Sequence, residues 1–352
     1  MGTSKGERTP LGDPVAFEGG LIEVGARTWA WIQPNGGLGE SNAGLAIGEG
    51  ESLLVDTLWD EELTAAMLRA MEPVITEASA PIGRLFNTHG DGDHWYGNGL
   101  LPAAATITAS EPAIGQMREE PPSILTRMSP VASAAGLLGR IPLMPGGARM
   151  RGLGAFNDLL SNYEFSGLDP RIPDRPFTDS AEFDVGGRRV ELTFVGPAHT
   201  VGDSIAWLAD ARVCFAGDIL FNRVMPIMWA GPVGNWIAAL DLIEGLEPQA
   251  VVGGHGPVGD VGDVRGLRDY WVWLRDRVLE AGSDPDPLEL AERLIRSPDF
   301  EPWRRWDGVE RTLVNVARIA ATEAGGPSEI GTAERIKLIS GMGALGERLA
   351  GA

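Results

Sequence analysis

Apolar and polar residues alternate along "LIEVGARTWAWIQ" (residues 21–33), the period-two pattern of half-buried strands. "SNAGLAIGEGESLLVDT" (41–57) holds two apolar runs around a Gly-rich turn and predicts a second strand pair. The period then changes. "EELTAAMLRAMEPVI" (61–75) spaces its apolar residues as a helix does. "IGRLFNTH" (82–89) reads as a short strand delivering His89 at its C-terminal end, "HWYGNGLL" (94–101) as the opening of a helix, and "ATITAS" (105–110) as another strand. Strands resume at "AEFDVGGRRVELTFVGPAH" (181–199), with a Gly-Gly hairpin turn, and at "DSIAWLADARVCFAGD" (203–218). "GNWIAALDLIEGLEP" (234–248) is a predicted helix, and "QAVVGGHG" (249–256) a strand ending at His255.

Between these halves, residues 111–180 are rich in Pro, Gly, Met and Leu and carry helical fragments without a long period. So long an irregular segment is expected to be a lid or pocket wall, the alternative being a helical pair that only packs on the scaffold. Beyond residue 260 the chain reads as helical, in "VRGLRDYWVWLRDRVLEA", "PLELAERLIR" and "GVERTLVNVARIAATEA". The order predicts an α/β protein in which packed sheets carry helices outside them. Its main domain spans 15–260, with the insertion at 111–180, and a helical C-terminal extension covers 261–352.

Composition narrows the function. With 352 residues, 43% of them hydrophobic, there is chain enough for a large core. A formal net charge of −20 repels phosphate backbones and argues against a nucleic-acid partner. No run of about 18 apolar residues occurs, so no membrane span is expected. The polar start "MGTSKGERTPLGDP" lacks the apolar stretch of a secretory signal. A single cysteine, Cys214, rules out an internal disulfide framework; it reads as a small buried residue, and a cytoplasmic location fits.

The chemistry concentrates in "NTHGDGDHWYGN" (87–98), where His89, Asp91, Asp93 and His94 fall within six positions. The chain has four histidines, and each lies beside a strand end or a Gly-containing turn: "NTHGDGDH", "VGPAHTVGD" and "VVGGHGPVG". "VCFAGDILF" is a further strand that ends on Gly-Asp, at Asp218. Strand ends let loops carry side chains into a common cleft. Imidazoles and carboxylates together suit zinc, iron or manganese.

These residues resemble the ligands of the metallo-β-lactamase fold superfamily of binuclear metallohydrolases. That family carries a His-x-His-x-Asp-His run, then a His, a bridging Asp and a final His. The corresponding residues are His89, Asp91, Asp93 and His94, then His199, Asp218 and His255. Asp91 stands where the family has its second His. The resemblance spans roughly residues 20–260 and implies a four-layer αββα sandwich. It implies two divalent metal ions, zinc first, about 3.5–4 Å apart. One would be held by His89, Asp91 and His199, the other by Asp93, His94 and His255, with Asp218 between them. Asp56 of "LLVDT" would orient a ligating histidine. The stretches "SNAGLAIG", "VGPAHT", "FAGDILF" and "LEPQAVVGGHGPV" are similar to cyclase–thioesterase-type proteins of aromatic polyketide pathways.

Asp91 changes the expected chemistry. Three carboxylates and one hydroxide neutralise two divalent ions, where two carboxylates leave a net charge of plus one. The more neutral cluster is a weaker Lewis acid, its bound water less acidic than the value near 7 of a His-rich site. The oxygen ligand also shifts preference toward iron or manganese. Flavodiiron proteins look similar, with Glu at this position, but no flavodoxin-like domain follows here.

The resemblance therefore implies a hydrolase in which a metal-bound hydroxide attacks an ester, thioester, lactone or related bond, with Asp93 and Asp218 as the catalytic carboxylates. A di-iron oxygen-activating enzyme and a non-catalytic partner subunit stay open. Met225, Met228, Trp229 and Trp236, with Met128, Leu137, Leu138, Met144, Met150 and Phe156 of the insertion, are expected to line a cleft for a hydrophobic, aromatic small molecule. Tyr270, Trp271, Trp273, Trp303 and Trp306 form an aromatic face on the tail, for packing on the core or for a homodimer or hetero-oligomer.

Overall fold

A computed structural model describes residues 8–282 and 286–351; residues 1–7 of the polar N-terminal stretch fall outside it. The first half runs β1 (Gly20–Gly25), β2 (Thr28–Ile32), β3 (Ala43–Ile47), β4 (Ser52–Val55), α1 (Glu61–Ala78), β5 (Ile82–Phe86) and β6 (Thr106–Ser110). Helices α2 (Glu111–Glu119), α3 (Ser123–Leu138) and α4 (Gly147–Leu160) follow, then β7 (Arg175–Phe177). The second half runs β8 (Ser180–Val185), β9 (Arg188–Phe194), β10 (Ser204–Leu208), β11 (Val213–Phe221), α5 (Val233–Gly245) and β12 (Ala250–His255). The tail forms α6 (Val261–Ala281), α7 (Pro287–Arg296), α8 (Thr312–Glu323) and α9 (Thr332–Ala350). None of the described helices is long and apolar enough to cross a membrane.

Two sheets form, one with strand order β1-β2-β3-β4-β5-β6-β7 and one with β12-β11-β10-β9-β8. The first is antiparallel as far as β4 and parallel from β4 to β7. In the second only β11 and β12 are parallel. Apolar residues of both inner faces, among them Ile32, Val55, Phe86, Leu192, Phe215 and Val252, make the core between the sheets. On the outer face of the first sheet, Met67 and Met71 of α1 pack on Leu45, Leu54 and Leu85. On the outer face of the second, α5 to α8 bury Trp236, Leu240, Trp271 and Ile319 over β11. The result is the αββα sandwich, with the tail as part of one outer layer.

Helix α1 starts where Asp60 accepts a hydrogen bond from the Leu63 amide. The β8–β9 hairpin turns at Gly186 and Gly187, both with positive φ (52° and 82°), as a two-residue hairpin requires. Arg188 is buried between the sheets, donating to the Arg27 carbonyl oxygen and to Thr28 of the first sheet and to Asp210. It ties the far ends of the two layers together.

Four expectations need correction. "HWYGNGLL" opens no helix: it forms two short 3₁₀ turns, Gly92–His94 and Tyr96–Leu100. Gly97 is packed where a Cβ would lie 2.1 Å from Thr64 Oγ1, and Asn98 bonds Asn87 and Thr57, so side chains hold the segment against the sheet. The strand carrying Asp218 does not end there but runs through to Phe221. Met225, Met228 and Trp236 are fully buried in the core under α5, α6 and α8 and line no cleft. Leu137 and Leu138 point to solvent. The insertion is largely a hairpin, α3 on α4, and α4 lies against α9, where Gly152 and Gly343 meet at backbone contact.

Candidate metal centre

The parallel strands β4 and β5 end side by side, and the loops leaving them carry the first ligands. Asp56 follows β4 in the left-handed region (φ 60°), which aims its carboxylate across the end of β5. There its Oδ1 accepts from the Thr88 amide at 2.8 Å, and its Oδ2 from the Thr88 hydroxyl at 2.7 Å and from His94 Nδ1 at 3.0 Å. Because the Thr88 hydroxyl is spent on Asp56, its oxygen accepts from His89 Nδ1 at 2.9 Å. His199, in the β9–β10 loop, donates Nδ1–H to the Ile227 carbonyl oxygen at 2.6 Å. In all three imidazoles an acceptor fixes the proton on Nδ1 and leaves the Nε2 lone pair facing inward. His255 ends β12 and stacks on Phe221, with ring centroids 5.1 Å apart and planes 3° apart.

Asp218 enters from β11. The β11–β12 register slips on both sides of Gly217, a bulge with positive φ (50°), and this turns Asp218 into the site from mid-strand. Its Oδ1 lies 3.1 Å from His94 Nε2, and its Oδ2 lies 3.2 Å from His199 Nε2, 3.5 Å from His255 Nε2 and 3.9 Å from His89 Nε2. Asp93 Oδ2 lies 3.4 Å from His255 Nε2 and 3.9 Å from His94 Nε2. Asp91 Oδ2 lies 3.0 Å from His199 Nε2.

All seven sequence-derived positions therefore meet in one place, but their grouping differs in detail. His89, His199 and Asp218 bring their ligand atoms within 4.8 Å of one another, and so do Asp93, His94 and His255. Asp91 belongs to neither triad and joins the first through His199. Four further residues had no clear signal in the sequence. Thr88 links Asp56 to His89. Ser41 donates to the Asp93 carbonyl oxygen at 2.6 Å and bridges to His255. Asn42 bonds the carbonyl oxygens of Gly253 and Gly256 on either side of His255. Gly254 stands where a Cβ would lie 1.7 Å from Asp218 Oδ1. Only the doubled glycine of "VVGGHG" hints at the last.

These residues fit cations. Nε2 of His89, Nε2 of His94 and Oδ1 of Asp218 are buried without a hydrogen-bond partner. His94 Nε2 and Asp218 Oδ1 are 3.1 Å apart yet form no aligned bond. Lone pairs converging in a buried space repel unless a proton or a metal ion lies between them. Protons partly take that role. Burial pushes the His94 imidazole down, but Asp218 and Asp93 outweigh it and raise it well above the usual histidine range. His255 is raised in the same way, and His199 to about 9 against the same burial by Asp218 and Asp91. His89 goes the other way, to about 4, through burial and the neighbouring His94. Burial opposes the charge of Asp218, but the surrounding imidazoles hold it well below the usual carboxylate range. Asp93 is 14% exposed and Asp91 20%, against 3% for Asp218, so solvent reaches the cluster from the side of the 91–93 turn.

Beside that turn lies an aromatic cluster. The Tyr96 ring covers Gly92, where a Cβ would be 2.5 Å from it. Trp59, Trp95, Tyr163 and Phe165 pack with it, Trp59 and Tyr163 at 4.7 Å between centroids.

The profile of the Metallo-beta-lactamase superfamily matches residues 36–255, which contain every residue of the cluster. Among solved structures, the stereoselective inverting sec-alkylsulfatase Pisa1 from Pseudomonas sp. is similar at a TM-score of 0.60 and 16% identity, covering 94% of this chain and 50% of that one. The chain thus spans about half the length of that relative. A metallo-beta-lactamase family protein from Thermus thermophilus matches at a TM-score of 0.51 and 18% identity, over 81% of this chain and 89% of that one. The DIM-1 metallo-beta-lactamase matches at 0.50 and 15%, over 72% and 96%. At these identities the likeness is one of fold.

Proposed function

The chain belongs to the metallo-beta-lactamase superfamily, and we propose that it is a binuclear metal-dependent hydrolase of a hydrophobic, aromatic small molecule carrying an ester, thioester, lactone or related bond. The observation that carries this reading is the convergence of four imidazole Nε2 atoms and three carboxylates on one buried space, with Nδ1 of His89, His94 and His199 each tied to an acceptor. Two divalent ions held by these residues would supply an activated water and a Lewis acid for the scissile group.

The protein's own groups do the rest. Asp218 reaches both triads and sets their spacing. Asp93 is held by Ser41 at its carbonyl oxygen and presents its carboxylate at the solvent side, where it can accept a proton from the attacking water. Cys214 takes no part: it is fully buried, and burial pushes its thiol up to about 12. The rings around Tyr96 are themselves buried and brace the 91–93 turn. A hydrophobic substrate is supported by the cavity lined by Trp95, Met117, Leu168 and Ile172, whose apolar wall adjoins the ligand run at His94.

A cyclase or thioesterase role and a cytoplasmic location belong to the same reading. The test is metal content per chain of protein purified without added metal or chelator, followed by a screen of aryl esters, thioesters, lactones and sulfate esters; the last are included because one fold relative is named a sec-alkylsulfatase. Two zinc or manganese ions with turnover of one class supports it. Protein with both triads filled that turns over none of them refutes it. One observation favours a second reading, a di-iron oxygen-activating enzyme: the carboxylate of Asp91 beside His199. Two irons per chain, with oxygen consumed in the presence of a reductant, would put it first.

A further inference from the structure

Asp91 is the position where the chain departs from the ligand run it resembles, and its surroundings are built for a carboxylate. Only Oδ2 faces the cluster. Oδ1 accepts a hydrogen bond from Gln116 Nε2 of α2 at 2.8 Å. Gln116 is 5% exposed, and the same amide nitrogen reaches Glu120 Oε2 at 3.3 Å. Both Glu120 oxygens accept from Arg335 Nη1 of α9 at 3.0 Å. The Arg335 guanidinium lies 5.2 Å from the centre of the Trp229 ring. The Trp229 amide donates to the His199 carbonyl oxygen at 2.9 Å. The contacts therefore close a ring that leaves the cluster through Asp91 and returns to it through His199.

The orientation of the Gln116 amide follows from this chemistry. Two ionised carboxylates accept only, so the NH₂ must face them. Its Oε1 is left against Gly90, where a Cβ would sit 2.7 Å from it, so the glycine between His89 and Asp91 makes room for this side chain. A carboxylate with both oxygens free can chelate one ion, and a carboxylate whose Oδ1 is engaged by a donor offers one ligand atom, as an imidazole does.

We infer that Gln116 is a positioning residue that holds Asp91 to a single ligating oxygen, and that Glu120 and Arg335 lock it there, making helix α9 of the C-terminal extension part of the metal centre. This rests on the metal-centre reading above. It gives the C-terminal helix a role at the site, and it explains how an aspartate can stand in a histidine's place without adding a ligand atom.

The experiment is a Co²⁺ titration of chelator-stripped full-length protein, followed by visible absorption and by competition with a chelator. The variants are Gln116→Leu and Arg335→Met, each checked by circular dichroism. Wild type should take up two Co²⁺. Gln116→Leu should lose about 10–100-fold in affinity at one of them, the usual effect of removing a group that orients a ligand. Its visible bands should weaken as Asp91 opens to two-oxygen ligation and the coordination number rises. Arg335→Met touches neither Asp91 nor Gln116 and lies in a part-exposed position, so it should fold. It should shift the same site in the same direction by a smaller factor. If wild type binds two Co²⁺ and both variants match it in affinity and spectrum, the inference is overturned while the metal centre stands. If Gln116→Leu does not fold, an unchanged Arg335→Met overturns the role of α9 and with it the inference. Wild type that binds no Co²⁺ overturns the metal-centre reading itself.

Discussion

Replacing Asp56 with asparagine should damage both metal triads through one substitution that leaves the fold intact. Asp56 is 2% exposed and accepts three hydrogen bonds, from the Thr88 amide, the Thr88 hydroxyl and His94 Nδ1. Asparagine keeps one acceptor, for the Thr88 amide, and places an NH₂ where the other two donors point. Its donors then force acceptor roles on His94 Nδ1 and on the Thr88 oxygen. His94 must move its proton to Nε2, and the Thr88 hydroxyl must turn toward His89 Nδ1, which moves that proton to Nε2 as well. Both of these nitrogens face the cluster, and a protonated nitrogen cannot ligate. A buried hydrogen bond to a charged group contributes about 1.5–3 kcal/mol, and losing an orienting partner typically costs about 10–100-fold in metal affinity. With one histidine affected in each triad, both sites should weaken by at least about tenfold. Asparagine tolerates the left-handed backbone at this position, so circular dichroism should be unchanged. The assay is chelator competition with Zn²⁺ or Co²⁺, site by site. Asp56→Asn with both affinities within about threefold of wild type would refute the tautomer argument. Asp56→Ala serves as contrast, because it adds backbone strain of about 1–2 kcal/mol and should lower thermal stability as well.

Gly254→Ala puts a methyl group 1.7 Å from Asp218 Oδ1; a displacement of that carboxylate by about 1 Å should cost about 100-fold in activity, measured on whichever substrate the screen identifies. Chelator-stripped protein should lose stability as pH rises. His199, whose ordinary value is 6.5, is raised to about 9 in the folded state, so its contribution is complete below 6.5 and is lost as pH passes through about 9. His94 and His255 are raised and act in the same direction, while His89, lowered to about 4, opposes them only below pH 6.5. Thermal melts from pH 6 to 10 should show the fall without metal and a flatter profile with it; parallel profiles would contradict the protonation scheme. Cys214 is fully buried with its thiol pushed up to about 12, so a thiol reagent at pH 8 should label it only after denaturant is added, and rapid labelling of native protein would contradict that burial.

Much of this was legible in the sequence because the signals are local. Period-two runs marked the strands of both sheets, Gly186-Gly187 marked a hairpin, and a chain with only four histidines, each beside a strand end or turn, marked the ligand loops. The motif placed seven residues in order along the chain, and those seven meet in space. What the sequence left undetermined depended on contacts between distant segments. "HWYGNGLL" follows a strand as a helix would, but its two glycines and Asn98 are poor helix formers, and contacts with Thr64, Asn87 and Thr57 hold it in 3₁₀ turns. Met225 and Met228 look like pocket residues by their closeness to Asp218, yet β11 sends them into the core under the tail helices. Helix α9 carries three glycines in "SGMGALG", which weaken a helix on their own; they let it pack closely on α4 at Gly152 and Gly343, and that brings Arg335 to Glu120. Sequence spacing could place Asp91 among the ligands, but not say which of its oxygens is free. That was decided by Gln116, 25 positions away, because a hydrogen bond depends on where two chains of backbone lie in space and the order of residues along one of them does not record it.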